Sequence, residues 1–274
     1  MTTRGISIPM YPFKYQKPGS ISEAQACLAK ESESKLLAGG QSLTAAMKLR
    51  LSSPSELVDL SAIAELANIK IENGVASIGA MTRHADVASS SPLRTLIPGL
   101  ANLAGGIADR MVRSMGTLGG SLANNDPAAD YPAATLGLGA TIVTNERQIK
   151  ADEFFLGMFE TALHKNEIIT SVLFPVPTRS AYAKFKHPAS RYATVGVFVA
   201  DFNGAVRVAV TGAALVVFRA TELEQALSQR FSSKSIAAIK LDDSQLNSDL
   251  NADAAYRAHL ITRMAMQAID SLQS

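Results

Sequence analysis

The sequence predicts an α+β protein built in three segments, with breaks near residue 60 and near residue 178. Three observations carry that reading. Strand-like and helix-like runs are intermixed along the chain. Two Asn-Gly pairs, Asn73-Gly74 and Asn203-Gly204, sit between short apolar runs, the arrangement of an antiparallel hairpin. The 274 residues exceed the usual size of one compact domain, and Pro175 and Pro177 mark a linker. The expected segments are therefore 1–60, 61–177 and 178–274.

Residues 20–30 (SISEAQACLAK) read as a short amphipathic helix, with Ser20 as N-cap and Glu23 at the capping-box position. A short apolar strand over 35–38 ends in Gly39-Gly40, and a helical pattern resumes over 42–50. Residues 55–60 form the next strand and 69–78 a hairpin. Thr82 is expected to cap a helix over 83–90, and a longer helix to run over 93–107. A glycine cluster at 116–121 and a stretch of proline and small residues at 127–132 follow. Next come a helix at 133–138 and strands at 140–144 and 167–174. Beyond the linker, three strands are expected at 182–186, 195–201 and 206–215, then helices at 220–230 and 252–271. There is no internal repeat and no low-complexity tract.

Lys and Arg number 26 and Asp and Glu 24, giving a net charge of +2 with no clustered basic stripe, which argues against nucleic-acid binding. The one cysteine, Cys27, excludes an internal disulfide and an all-cysteine metal site within the chain, and it reads as a small apolar helix residue. No apolar run reaches the ~18–20 residues that span a bilayer. The N-terminal MTTRGISIPMYPFKY lacks the apolar core of a signal peptide, so a cytoplasmic protein is expected.

Two glycine-rich stretches carry the chemistry. In LLAGGQSL a strand runs through Gly39-Gly40 directly into a helix. A helix start offers unpaired N–H groups and partial positive charge to a phosphate, and glycine lets the backbone approach it. A plain strand–helix turn would use the same residues. GTLGGSLAN concentrates Thr117, Gly119, Gly120, Ser121 and Asn124, and reads as backbone lying against a flat or charged ligand. Pro127 and Pro132 hold Asp130, a carboxylate suited to ribityl or ribose hydroxyls. No GxxxxGK[ST] is present, and Gly137-Leu138-Gly139 lacks the third glycine of a dinucleotide fingerprint because position 142 is Ile142. The four histidines show no metal-ligand spacing, and no metal site is expected.

LAGGQSL followed by MKLR, together with SMGTLGGSLANNDPAADYPAA, resembles the flavin-binding medium subunit of the molybdenum hydroxylases, the family of xanthine dehydrogenase and aerobic carbon monoxide dehydrogenase. PFKYQKPGSISEA, YAKFKHPASRYATVGV and LNSDLNADAAYRAHLI extend the likeness over nearly the whole chain. The resemblance implies a two-subdomain FAD-binding fold of the vanillyl-alcohol oxidase and p-cresol methylhydroxylase type. Residues 1–60 and 61–177 would be its subdomains, and 178–274 a small α+β domain like that of the carbon monoxide dehydrogenase flavoprotein. It further implies that Leu36, Leu37, Ala38, Gly39, Gly40, Gln41, Ser42 and Leu43 wrap the FAD pyrophosphate. Thr117, Gly119, Gly120, Ser121 and Asn124 would form the second FAD loop, with Asp130 as acidic contact. Ile107 and Ile169 would flank the adenine, while Lys186 and Tyr192 would stand at the flavin end. At Gln41 some relatives carry histidine.

By the same resemblance the chain works in a complex with a small 2Fe-2S subunit and a large molybdopterin subunit, as a dimer of heterotrimers. It would take electrons from the iron–sulfur clusters and pass them to an external acceptor. No side-chain acid or base is nominated, because the cofactor carries the chemistry. A free-standing flavin oxidoreductase of this fold, or a partner-binding subunit that has lost FAD, are the alternatives.

Overall fold

The computed structural model describes residues 10–272. Residues 1–9, on which the signal-peptide reading partly rests, lie outside the described residues. The chain opens with β1 (Lys14–Gln16), α1 (Ile21–Leu28), β2 (Ser34–Leu37), α2 (Leu43–Lys48) and β3 (Glu56–Asp59). The three strands form a parallel sheet in the order β1-β3-β2. At α1 the Ser20 hydroxyl accepts the Glu23 N–H at 3.2 Å, while the Glu23 carboxylate accepts from Gly19 N–H at 2.8 Å. The cap is thus the expected one, displaced by one residue on its return arm. Ala24 and Leu28 of α1 meet Val58, Leu60, Ile63, Leu66 and Ile168 in the first apolar core.

The middle of the chain holds β4 (Ile69–Glu72), β5 (Val75–Gly79), α3 (His84–Ser89), α4 (Ser91–Leu96), α5 (Pro98–Gly105), α6 (Arg110–Met115), α7 (Leu118–Asn124) and α8 (Tyr131–Gly137). Then come β6 (Thr141–Thr144), β7 (Gln148–Lys150), α9 (Ala151–Phe154), β8 (Phe155–Gly157), β9 (Glu160–Thr161) and β10 (Ile169–Pro175). Its sheet runs β4-β5-β10-β6-β7, antiparallel throughout, with β8 and β9 a separate hairpin. Asn73 and Gly74 both take positive φ, 50° and 74°, as the tight turn between β4 and β5 requires.

Three expectations are corrected here. The helix expected over 93–107 is two helices, because Pro98 has no N–H to continue the ladder and forces Ile97 out of helical geometry (φ −135°, ψ 63°). Thr82 does not cap α3; Arg83 occupies that position, and the Thr82 hydroxyl donates to Asn68 O at 3.1 Å. The glycine cluster is not a loop, since residues 118–124 are helical and Leu118 and Leu122, one turn apart, are both buried.

Beyond the prolines, β11 (Arg179–Lys186), β12 (Ala193–Phe202), β13 (Ala205–Thr211) and β14 (Phe218–Arg219) make an antiparallel sheet in sequence order. It is followed by α10 (Thr221–Gln229), α11 (Ser233–Ile236) and α12 (Ala254–Asp270). The strand expected to reach residue 215 stops at Thr211, where Gly212 turns with φ 82°. Strand parity divides this sheet's loyalties. Val195, Val197 and Val199 pack with Leu260, Ile261 and Ile269 of α12 in one core. Phe198 and Ala200, on the opposite face of the same strand, join the core of the middle segment.

Glu167, just before β10, is pinned in this frame. Its carboxylate accepts from Thr144 Oγ1 at 2.7 Å, Arg147 Nε at 3.0 Å and the His164 N–H at 2.7 Å. Burial alone would raise the carboxyl, but these donors pull it from its ordinary 4.5 to about 2. A depressed carboxylate stabilises the fold above its unfolded pKa, and that contribution is lost as pH falls toward the folded one. Thermal melts of Glu167→Gln are therefore expected to show lower stability near neutrality and a shallower loss of stability between about pH 4.5 and 2. An acid limb identical to that of the wild type would show that Glu167 does not supply it.

Candidate functional site

A cavity of about 1420 Å³ opens between the first glycine turn and the helices and loops of the middle segment, with the 189–192 loop across one side. Its first wall is the connection between β2 and α2, at the carboxyl end of a parallel strand, where open sheets of this kind receive ligands. Gly40 turns the chain with φ 70°. Among the described residues, the backbone N–H groups of Gly40, Gln41, Ser42 and Leu43 find no acceptor within the chain. The Gln41 side chain is committed instead, donating from Nε2 to Gly39 O at 2.9 Å.

The second wall is the start of α7, and its donors are already used. Leu118 N–H bonds Thr82 O at 3.0 Å, Gly119 N–H bonds Ala80 O at 2.8 Å, and Gly120 N–H bonds the Thr117 hydroxyl at 3.2 Å. What this wall can offer a ligand is side chain: Ser121 and Asn124 line the cavity, and neither side chain has a partner among the described residues. The two glycine stretches touch. A Cβ placed on Gly39 would lie 2.2 Å from Met115 O and 2.6 Å from Gly116 Cα. Behind Gly116 stands His84, whose Nε2 would be 2.5 Å from a Cβ there.

All the residues named from the sequence line this cavity except Leu37 and Lys186. Leu37 faces the other side of its strand, toward Gly40. Lys186 is exposed and follows a register shift between Phe185 and Lys186. The buried lysine is Lys184. Its side chain is 3% exposed, and the ammonium lies 2.9 Å from the Asp130 carboxylate and 3.2 Å from Gly106 O. Asp130 also accepts a hydrogen bond from the Tyr182 hydroxyl. Burial pushes the Asp130 carboxyl up, against the pull of Lys184 and Tyr182. Asp130 thus reaches the cavity as part of a buried triad, with spare lone pairs for a hydroxyl.

Tyr192 ends a loop organised by His187, whose Nδ1 accepts from the N–H groups of Ala189 and Ser190 at 3.3 and 3.2 Å. Ile107 and Ile169 supply apolar wall, so the cavity pairs apolar surface with hydroxyl, amide and free N–H groups. Sequence reasoning missed His84, Phe159, Lys165 and Arg191, which also line it. No spacing marks them; they arrive through long-range packing. One grouping also escaped: His164 lies within reach of Glu146 and Glu167, at 3.5 and 3.8 Å. The Glu167 oxygens there are already taken by Arg147, Thr144 and a backbone N–H.

These groups fit a dinucleotide such as FAD: a close glycine contact that any side chain would fill, four free N–H groups for a diphosphate, and small polar side chains for sugar hydroxyls. Residues 11–177 match the family model described as the FAD binding domain in molybdopterin dehydrogenase. The carbon monoxide dehydrogenase medium chain of Hydrogenophaga pseudoflava is 34% identical over 278 residues, covering 94% of this chain and 96% of its own. The glyceraldehyde dehydrogenase medium chain of Sulfolobus acidocaldarius is 33% identical over 285 residues, covering 94% and 98%. Among solved structures, a chain of quinoline 2-oxidoreductase from Pseudomonas putida 86 superposes with a TM-score of 0.88 at 27% identity, over 97% of this chain and 100% of that one.

Proposed function

This chain belongs to the family of FAD-binding medium subunits of molybdenum hydroxylases, and from that premise we propose that it is the flavin subunit through which electrons leave a larger oxidoreductase complex. Its fold is the α+β FAD-binding fold of that family, and its class is oxidoreductase. In the complex a small subunit with 2Fe-2S clusters would deliver electrons, a large subunit would carry molybdopterin, and an external acceptor would receive the electrons. A dimer of heterotrimers is the proposed assembly, and the cytoplasm its proposed location. No described helix is long and apolar enough to cross a membrane. The segments 1–60 and 61–177 are proposed as the halves that close on the cofactor, and 178–274 as the domain that buttresses them.

The observation that carries the site is the contact of Gly39 with Met115 and Gly116, which joins both glycine stretches into one cradle. Gly39 and the free N–H groups of Gly40, Gln41, Ser42 and Leu43 would hold the diphosphate, flanked by Leu36 and Ala38. Ser121 and Asn124 would bond sugar or ribityl hydroxyls, with Asp130 beside them. Ile107 and Ile169 would face the adenine and Tyr192 the flavin ring. Bound FAD supplies one- and two-electron exchange, so the chain's task is to bind it, orient it and shield it.

The test is purification of the chain with its partner subunits. The complex is expected to hold stoichiometric FAD that bleaches when an oxidisable substrate of the large subunit is added. A chain that remains colourless and free of FAD even when co-expressed with its partners would overturn the proposal.

A further inference from the structure

At the cavity wall His84 forms, with Tyr131 buried behind it, a polar pair that the functional reading leaves unused. His84 is 5% exposed, and its Nδ1 is buried with no partner among the described residues. The hydroxyl of Tyr131, fully buried, is likewise without a partner. The two rings are in contact, with centroids 5.2 Å apart and planes tilted by 54°. Leaving buried polar atoms unpaired is costly, so their retention beside a ligand cavity calls for a reason. His84 lines the cavity, and its Nε2, unlike its Nδ1, is not among the buried unpaired atoms. That nitrogen stands behind Gly116, where the two glycine stretches meet. Burial, aided by the nearby Arg113, lowers the imidazole to about 4, which leaves it neutral at pH 7.

A neutral imidazole has one donor and one acceptor nitrogen, and the partner of one sets the role of the other. A tyrosine hydroxyl can donate as well as accept, and the pairing that leaves a donor facing the cradle has Tyr131 donating to Nδ1, directly or through one bridging water. The proton then resides on Nε2, the nitrogen beside the cradle. We propose that His84 is a cofactor-positioning residue, presenting an Nε2–H donor to the cofactor's diphosphate from beneath Gly116, with Tyr131 fixing its tautomer. The proposal rests on the FAD reading above. It gives the cradle a side-chain donor that Gln41, turned onto Gly39 O, does not supply.

The test uses the full chain with its partner subunits, titrated with FAD after mild removal of the cofactor. His84→Leu is expected to weaken FAD binding by roughly tenfold or more, the scale of one hydrogen bond to a charged group. The same variant leaves the buried Tyr131 hydroxyl without Nδ1, so its melt without FAD is recorded alongside to show that the affinity is measured on folded protein. His84→Gln, which keeps a donor near the Nε2 position, is expected to retain most of the affinity, and His84→Asn to lose it. Nitrogen NMR of histidine-labelled wild type needs no variant: the Nε2–H tautomer is expected, with the Nε2 resonance moving when FAD binds. Wild-type FAD affinity in His84→Leu, or a protonated Nδ1 in the NMR spectrum, overturns this role alone. A wild-type chain that takes up no FAD overturns the functional reading as well.

Discussion

A Gly39→Ala chain, expressed with its partner subunits, is expected to purify without FAD and to melt well below the wild type. The added methyl would meet Met115 O at 2.2 Å and Gly116 Cα at 2.6 Å, and both are backbone atoms that no rotamer change can move aside. Relief requires the two glycine stretches to separate, at an overpacking cost of about 1–3 kcal/mol. Separation also spoils the alignment of the free N–H groups from Gly40 to Leu43. Gly40→Val should lose FAD for a different reason, since a β-branched residue is strained at φ 70°. The informative control is Gly74→Ala, in a turn with φ 74° where a methyl meets nothing within 4 Å. It should cost some stability and leave the FAD-to-protein ratio, read from the absorption spectrum, unchanged. A full complement of FAD in Gly39→Ala would remove the cradle from the cofactor site.

Asp130→Ala should be the most destabilising single change at the site. It removes the carboxylate facing Lys184, whose side chain is 3% exposed and, among the described residues, keeps only Gly106 O as a further partner. Stranding one member of a buried ion pair costs about 3–5 kcal/mol, because the remaining charge is neither solvated nor paired. Tyr182 loses its acceptor in the same step. Adding Lys184→Met to Asp130→Ala should recover part of the loss, since the unpaired ammonium is then gone. Denaturant titrations of wild type, both single variants and the double variant measure the coupling directly. Strictly additive losses would show that Asp130 and Lys184 do not act as a pair.

The sequence made some of this legible because certain features are local. Gly39-Gly40 after an apolar run, Asn73-Gly74 between alternating runs, and Ser20 with Glu23 each specify a turn or cap by their own chemistry. The glycine cluster was recognisable as important but not as a helix, because only the burial of Leu118 and Leu122 against distant partners decides that. β1 has three exposed residues and is a strand through its pairing with β3, which no pattern in KYQ announces. The Lys184 and Lys186 distinction depends on a strand irregularity at Phe185 that composition does not encode. His84 lies among four histidines without diagnostic spacing. Its interest comes from Tyr131, 47 positions away, and from the backbone of Gly116.

The double allegiance of β12 has an evolutionary consequence. The matched FAD-binding model ends at residue 177, which invites the view of a transferable module with an appended tail. Yet Phe198, Ala200 and Ala209 complete the apolar interior of the module, while Val195, Val197 and Val199 on the reverse face serve the tail's own helices. A chain severed at the prolines would present two matching apolar faces to water, each a template for aggregation. The C-terminal part is therefore not free to be exchanged or shed in the way a tethered domain is. Its sheet is a shared wall, so any exchange of the C-terminal part has to preserve the fit of Phe198, Ala200 and Ala209 against the flavin module.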